Sequence, residues 1–249
     1  MNDEQRYLFD LQGFVVLKNV VSPALVTECD RVLDTLEAAT PDAYPANVAR
    51  AKPRTDTELY LSNIVEAAPV FHELIDIPQV IDIVREVSLG LFRLNHTYAI
   101  YHWGKGYTPL HMAGTPMHPK ATYDCRGSEI FSVLTKAVFP LRHHDLEDGC
   151  FAAIPGSHKA NFARPFPDDP DANEALVALP AQPGDAIIFT EALTHGSLIN
   201  RSGRERRTVF YCYSVGYMPD WTKLGLTFSD SLYNAVNESQ REILRLKVT

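Results

Sequence analysis

His111 and His195 have the side chains and setting to hold a metal ion, and Arg206 has the charge to hold an anion beside it. His195 follows Gly184-Asp185-Ala186-Ile187-Ile188-Phe189, which reads as a tight turn feeding an apolar strand that delivers the histidine at its far end. Arg206 comes eleven residues later. Asn200-Arg201-Ser202-Gly203 between them is a turn, and Thr208-Val209-Phe210-Tyr211-Cys212-Tyr213 is rich in the β-branched and aromatic residues of a returning strand. His195 and Arg206 are therefore expected in one cavity. Neutral imidazoles suit iron among other metals. An oxygen-activating iron centre needs electrons from a co-substrate, and a guanidinium can hold the distal carboxylate of 2-oxoglutarate with two parallel hydrogen bonds. Arg207, next along the strand, is expected to face outward.

The ordered set of landmarks resembles the phytanoyl-CoA dioxygenase family of iron(II)/2-oxoglutarate oxygenases. It runs from Gly13-Phe14-Val15-Val16-Leu17 and the helix after it, through His111, Asp148-Gly149-Cys150-Phe151 and Pro155-Gly156-Ser157-His158, to His195, Arg206 and the strand ending at Tyr213. The 84 residues separating the histidines suit the core of that family. The resemblance implies a mainly β fold with flanking helices, the double-stranded β-helix or cupin-like jelly roll. It also implies iron(II) on His111 and His195, and 2-oxoglutarate on Arg206.

One position departs from the family pattern. His-x-Asp would complete a triad of two histidines and a carboxylate, but the third residue here is Ala113, and a methyl group ligates nothing. His-x-Ala is the pattern of the aliphatic halogenases of the superfamily, where chloride or bromide takes the carboxylate's place. A halide would restore the missing negative charge. The resemblance thus implies an enzyme acting on an aliphatic C–H bond of a small molecule, with chloride as a third ligand at the open position beside Ala113.

Two other readings of Ala113 stay open: a hydroxylase using water or a replacement carboxylate, and a non-catalytic binding protein on the same fold. Replacement carboxylates are Glu191, Asp124 and Glu129; on a strand, Glu191 would face the same way as His195. His143-His144-Asp145 also spells His-x-Asp, but its place predicts a solvated, charged turn. His158 is expected to close the Pro-Gly-Ser-His turn, and His102 either to line the substrate side or to make an ordinary strand pair.

These side chains need a scaffold. A strand over residues 15–20 precedes a helix capped by Ser22 with Pro23 in its first turn, and Leu25, Val26, Cys29, Val32, Leu33 and Leu36 form its apolar face. Helices are expected over 67–75 and 78–87, the latter stopped by Gly90, and strands over 91–103, 130–139, 150–154, 186–190 and 208–215. Residues 161–179 read as a loop able to cover the barrel mouth. The tail over 229–246 is helical, to brace the barrel or to make a homodimer contact.

A chain of 249 residues suits one domain, 1–249. The net charge of −8, with no basic run, argues against nucleic acid or an anionic membrane as partner. Cys29, Cys125, Cys150 and Cys212 have no metal or disulfide spacing. No basic start with an apolar core marks a signal peptide, so a reducing cytoplasm is the expected setting.

Overall fold

The computed structural model describes every residue except 46, 117, 220, 222–227 and 245–249. The chain opens with a helix that the sequence reading passed over, α1 (Asp3–Gln12), although Asn2 and Gln5 spell its reciprocal capping box. Strand β1 (Phe14–Leu17) follows, then α2 (Pro23–Ala38). Ser22 caps α2 by accepting from Leu25 N, and Val26, Cys29, Leu33 and Leu36 are its buried face.

Short strands β2 (Ala49–Arg50) and β3 (Glu58–Ser62) precede α3 (Pro78–Val87), which has the predicted bounds. The stretch expected as a helix over 67–75 is a 3-10 segment, Pro69–Leu74, whose bonds close after three residues, as from Phe71 N to Ala68 O and from Ile75 N to His72 O. Next come β4 (Phe92–His102), β5 (Tyr123–Arg126), β6 (Glu129–Ser132) and β7 (Leu134–Pro140). The single strand expected over 130–139 is thus two, split at Val133. Then follow β8 (Phe151–Ala153), β9 (Val177–Leu179), β10 (Ala186–Thr190), β11 (His195–Ser197) and β12 (Arg206–Val215).

The predicted helical tail is two helices, α4 (Asp230–Ala235) and α5 (Glu238–Leu244), with Asn237 and Gln240 capping each other at the break. Residues 245–246 of that expectation lie outside the described residues. Leu232, Val236, Ile243 and Leu244 are buried in the main core, so the tail braces the fold. No described helix is long and apolar enough to cross a membrane. The four cysteines are all unpaired, as expected.

Seven strands form one antiparallel sheet in the order β1-β10-β7-β12-β4-β3-β2, facing a three-stranded sheet β11-β8-β9. Alternation along β12 decides which side chain goes where. Val209 and Tyr211 join Ala99 and Tyr101 on the face covered by α2 and α3. Phe210 and Cys212 join Tyr98 and Ile100 on the inner face. Both faces being covered, the central strands β4 and β7 are buried throughout.

Candidate functional site

His195 does not end the strand that precedes it. Strand β10 stops at Thr190, the chain turns across to the small sheet, and His195 opens β11 there, opposite Ala153. His111 lies alongside through a two-bond antiparallel bridge, His111 N donating to His195 O (3.0 Å) and His195 N to His111 O (3.1 Å). The bridge brings the ring centroids to 4.2 Å. Each ring donates from Nδ1 to the carbonyl two residues earlier, His111 to Pro109 O at 2.8 Å and His195 to Leu193 O at 2.7 Å. A carbonyl only accepts, so the proton sits on Nδ1 and the Nε2 lone pair is left for a metal. Burial, then His111 and Lys136, moves the His195 imidazole well below the usual histidine range; His111, exposed as a residue, is lowered less, by partial desolvation of its ring and by Lys136, and both are held neutral, as ligation needs.

The third member of this group is Glu191, in the turn between the sheets. Its backbone N donates to Leu134 O (2.9 Å). Its carboxylate is 1% exposed, with Oε2 3.9 Å from His195 Nε2 and 2.7 Å from Lys136 Nζ. The ligand atoms of His111, Glu191 and His195 all lie within 4.8 Å of one another, the one such group among the described residues. Strand alternation predicted the direction of Glu191, but a turn places it. Asp124 and Glu129 do not reach the site: they sit on the β5–β6 hairpin, where Asp124 pairs with Arg126. Met112 takes a positive φ (63°), and Ala113 beyond it lines a neighbouring cavity with Ile154, Phe162 and Thr194, not the cavity of the histidines.

Arg206 opens β12 on the inner face, 4% exposed. Its Nη2 donates to His102 Nδ1 (2.6 Å) and Ser197 Oγ (3.2 Å), and its Nε is buried without a partner. Among the described residues it has no acidic partner, and burial pulls its pKa down to about 10. Arg207 corrects the outward expectation. It faces the other way but is 1% exposed, held beneath α2 by Asp30 and Asp34.

His102 does not line the cavity; it is a strand pair, as the second of the two expectations had it. Arg206, His102 and Glu58 stand in register across β12, β4 and β3. A guanidinium only donates, so His102 Nδ1 accepts and Nε2 donates to Glu58 Oε2 (3.2 Å). Burial lowers His102 to a pKa of about 4, which keeps it neutral for this role. Replacing His102 by Phe should remove an acceptor that orients Arg206, weakening the binding of a dicarboxylate such as 2-oxoglutarate, if Arg206 anchors one, by about tenfold while leaving the affinity of the histidine pair for a metal ion unchanged. Calorimetric titration of each ligand separates the two.

His144 corrects the expectation of a solvated turn. It is buried, lines the cavity, and donates from Nε2 to Arg207 O (3.1 Å), while His143 and Asp145 are exposed. His158 is structural, tying its turn to α1 through Asp10 O (3.1 Å). His111, His195, Glu191 and Arg206 line one cavity, which together with its open mouth holds about 770 Å³ of space between atoms. Tyr60, Tyr98 and Phe210 stack along its wall, at 4.9 and 4.4 Å between successive centroids. Sequence reasoning missed Lys136, whose signal was available: one charge inside the otherwise apolar strand β7.

A family model described as phytanoyl-CoA dioxygenase (PhyH) matches residues 9–208. The peroxisomal phytanoyl-CoA dioxygenase of Bos taurus is 25% identical over 234 residues, 83% of this chain and 66% of that protein, so the chain spans just under two thirds of that relative's length. HygX from Streptomyces hygroscopicus, solved with nickel, 2-oxoglutarate and hygromycin B, superposes with a TM-score of 0.77 at 21% identity, over 92% of this chain and 94% of that one. EctD from S. alaskensis, with 2-oxoglutarate and 5-hydroxyectoine, gives 0.67 at 21% identity over 86% and 76%. At such identities the likeness establishes the fold, the cupin-like jelly roll expected from the sequence.

Proposed function

The chain belongs to the phytanoyl-CoA dioxygenase family, an oxygenase-type enzyme family, and from that premise we propose that it is an iron(II)- and 2-oxoglutarate-dependent oxidoreductase acting on an aliphatic C–H bond of a small molecule. One observation carries the reading: a buried guanidinium without an acidic partner lines the same cavity as two neutral imidazoles with available Nε2 atoms. The donors fit the group they would hold. His111 and His195 would bind iron through Nε2, and Arg206, oriented by His102 and Ser197, would bind the distal carboxylate of 2-oxoglutarate. Bound there, iron would use dioxygen as the oxidant and 2-oxoglutarate as the electron donor to remove hydrogen from carbon. The stacked wall of Tyr60, Tyr98 and Phe210 offers a substrate an apolar surface and keeps water from it. HygX and EctD, which share the fold, were solved with 2-oxoglutarate and a small molecule.

Halogenation is the second reading, favoured by the methyl group of Ala113, which leaves the metal short of one anion. Against it stands the carboxylate of Glu191 beside His195, which offers that anion without chloride. Anaerobic addition of iron(II) and 2-oxoglutarate should give a visible metal-to-ligand charge-transfer band, and admission of air should release succinate, both without chloride. A band that requires chloride would move the assignment to a halogenase. No band from the folded protein would leave a binding protein and end the proposal.

A further inference from the structure

Residue 113 offers no ligand, yet an anionic oxygen stands at the metal group from another part of the chain. Glu191 is buried, and an ionised carboxylate is removed from water only at high cost unless something compensates it. Its compensation is Lys136, whose Nζ is 2.7 Å from Oε2. Lys136 is itself 4% exposed on β7, where Leu134, Ala137, Val138 and Phe139 make the surroundings apolar. A pair of buried charges in such a place is a poor way to build a core, since apolar residues of similar volume often stabilise as well or better. Both residues line the cavity that also holds His111 and His195.

The oxygen that Lys136 approaches is also the one nearest His195 Nε2, at 3.9 Å. Lys136 therefore holds that oxygen on the side of the two imidazoles. Glutamate is one methylene longer than aspartate, and the turn after Thr190 starts its side chain from the edge of the large sheet. We infer that Glu191 supplies the third protein ligand of the metal site in the role residue 113 cannot fill, and that Lys136 positions its carboxylate. This rests on the iron reading above. Two neutral nitrogens and one carboxylate then restore the donor set that suits ferrous iron, from a sequence position four residues before the second histidine instead of two after the first.

A different use of the same pair is conceivable: Glu191 as nothing more than the counter-ion of Lys136. The two uses differ when both charges are removed together. The probe is Mn(II) alone, titrated into the apoprotein and followed by the electron paramagnetic resonance of the unbound ion, with and without added chloride. The wild-type protein is expected to bind equally in both media. Glu191→Ala should weaken binding by about 100-fold. The charge-balanced double variant Lys136→Met/Glu191→Gln, which leaves no unpaired buried charge, should be as weak, and Lys136→Met alone, which keeps the carboxylate but not the group that positions it, should fall between wild type and Glu191→Ala. A double variant with wild-type affinity would overturn the inference by reducing Glu191 to a counter-ion, and so would a Glu191→Ala protein that keeps its affinity or regains it with chloride. A folded wild-type protein that binds no Mn(II), or that binds it as well after His195→Ala, would instead overturn the metal-site reading on which the inference rests.

Discussion

Replacing Arg206 by methionine should weaken 2-oxoglutarate binding by roughly 2–5 kcal/mol, about thirty-fold to several thousand-fold in Kd, and should at the same time make the ligand-free protein more heat-resistant. The two effects have one cause. Arg206 is buried with a histidine nitrogen and a serine hydroxyl as partners and no negative charge to meet its own. Burial brings its pKa from 12.5 to about 10, so at every pH below that value the group stays charged and the fold carries the full cost of that buried charge relative to the unfolded chain. The shift corresponds to something on the order of 3 kcal/mol lost from the ligand-free fold. A dicarboxylate returns that loss as binding energy, because it supplies the missing counter-charge where water does not compete.

Methionine fills similar space without charge. Its thermal midpoint should rise by about 2–4 °C for each kcal/mol recovered, and 2-oxoglutarate, expected on the proposed function to stabilise the wild-type protein by mass action, should not shift it. Titration and melting curves with and without 2-oxoglutarate read both effects. Unchanged affinity would remove Arg206 from the site, and a lower midpoint in the ligand-free variant would make it a structural residue.

The residues read from sequence were those whose neighbours announce them. His195 and Arg206 are bracketed by turns and strands with strong local signals, and α2 and α3 carry caps and apolar spacing that need no tertiary information. What stayed hidden was set by contacts far apart in sequence. Arg207 was expected in solvent because alternation shows only that it faces away from Arg206; that α2 covers this face is a matter of packing across more than 170 residues. His144 read as part of a charged turn, yet β12 buries it. Glu191 was correctly directed for the wrong local reason, since strand alternation does not apply to a turn between sheets. Its pairing with Lys136 depends on the register of β10 against β7, where Phe189 faces Lys136, and no local pattern encodes that register. Likewise, His-x-Ala shows that one ligand is missing from its usual place but not where another carboxylate enters.

Acid should unfold this protein through its histidines before its carboxylates. Seven of the nine are held below their ordinary range with burial as the leading cause: His72, His96, His102, His111, His144, His158 and His195. For His102 and His158 the pKa falls from 6.5 to about 4. In the unfolded chain each takes up a proton as the pH drops through 6.5, whereas in the fold it stays neutral until about 4. Between those values the unfolded state binds more protons, so stability declines as pH declines. Both rings are almost fully buried: His102 lies between the Arg206 guanidinium and the Glu58 carboxylate, which only partly offsets its burial, and His158 packs edge-on against Tyr123 at 4.5 Å. By pH 4.5 these two alone should cost on the order of 5 kcal/mol, comparable with the whole stability of many domains. The salt-bridged carboxylates Asp148 and Asp185, held below 3.8, lose their contributions only at lower pH, and in the same direction. Urea midpoints should therefore be flat above pH 7 and fall steeply from 6.5 towards 4.5, and His158→Phe should flatten part of that slope. A midpoint that stays level down to pH 4.5 would show that these rings accept protons in the folded state, and the neutral His102 on which the orientation of Arg206 depends would be lost with it.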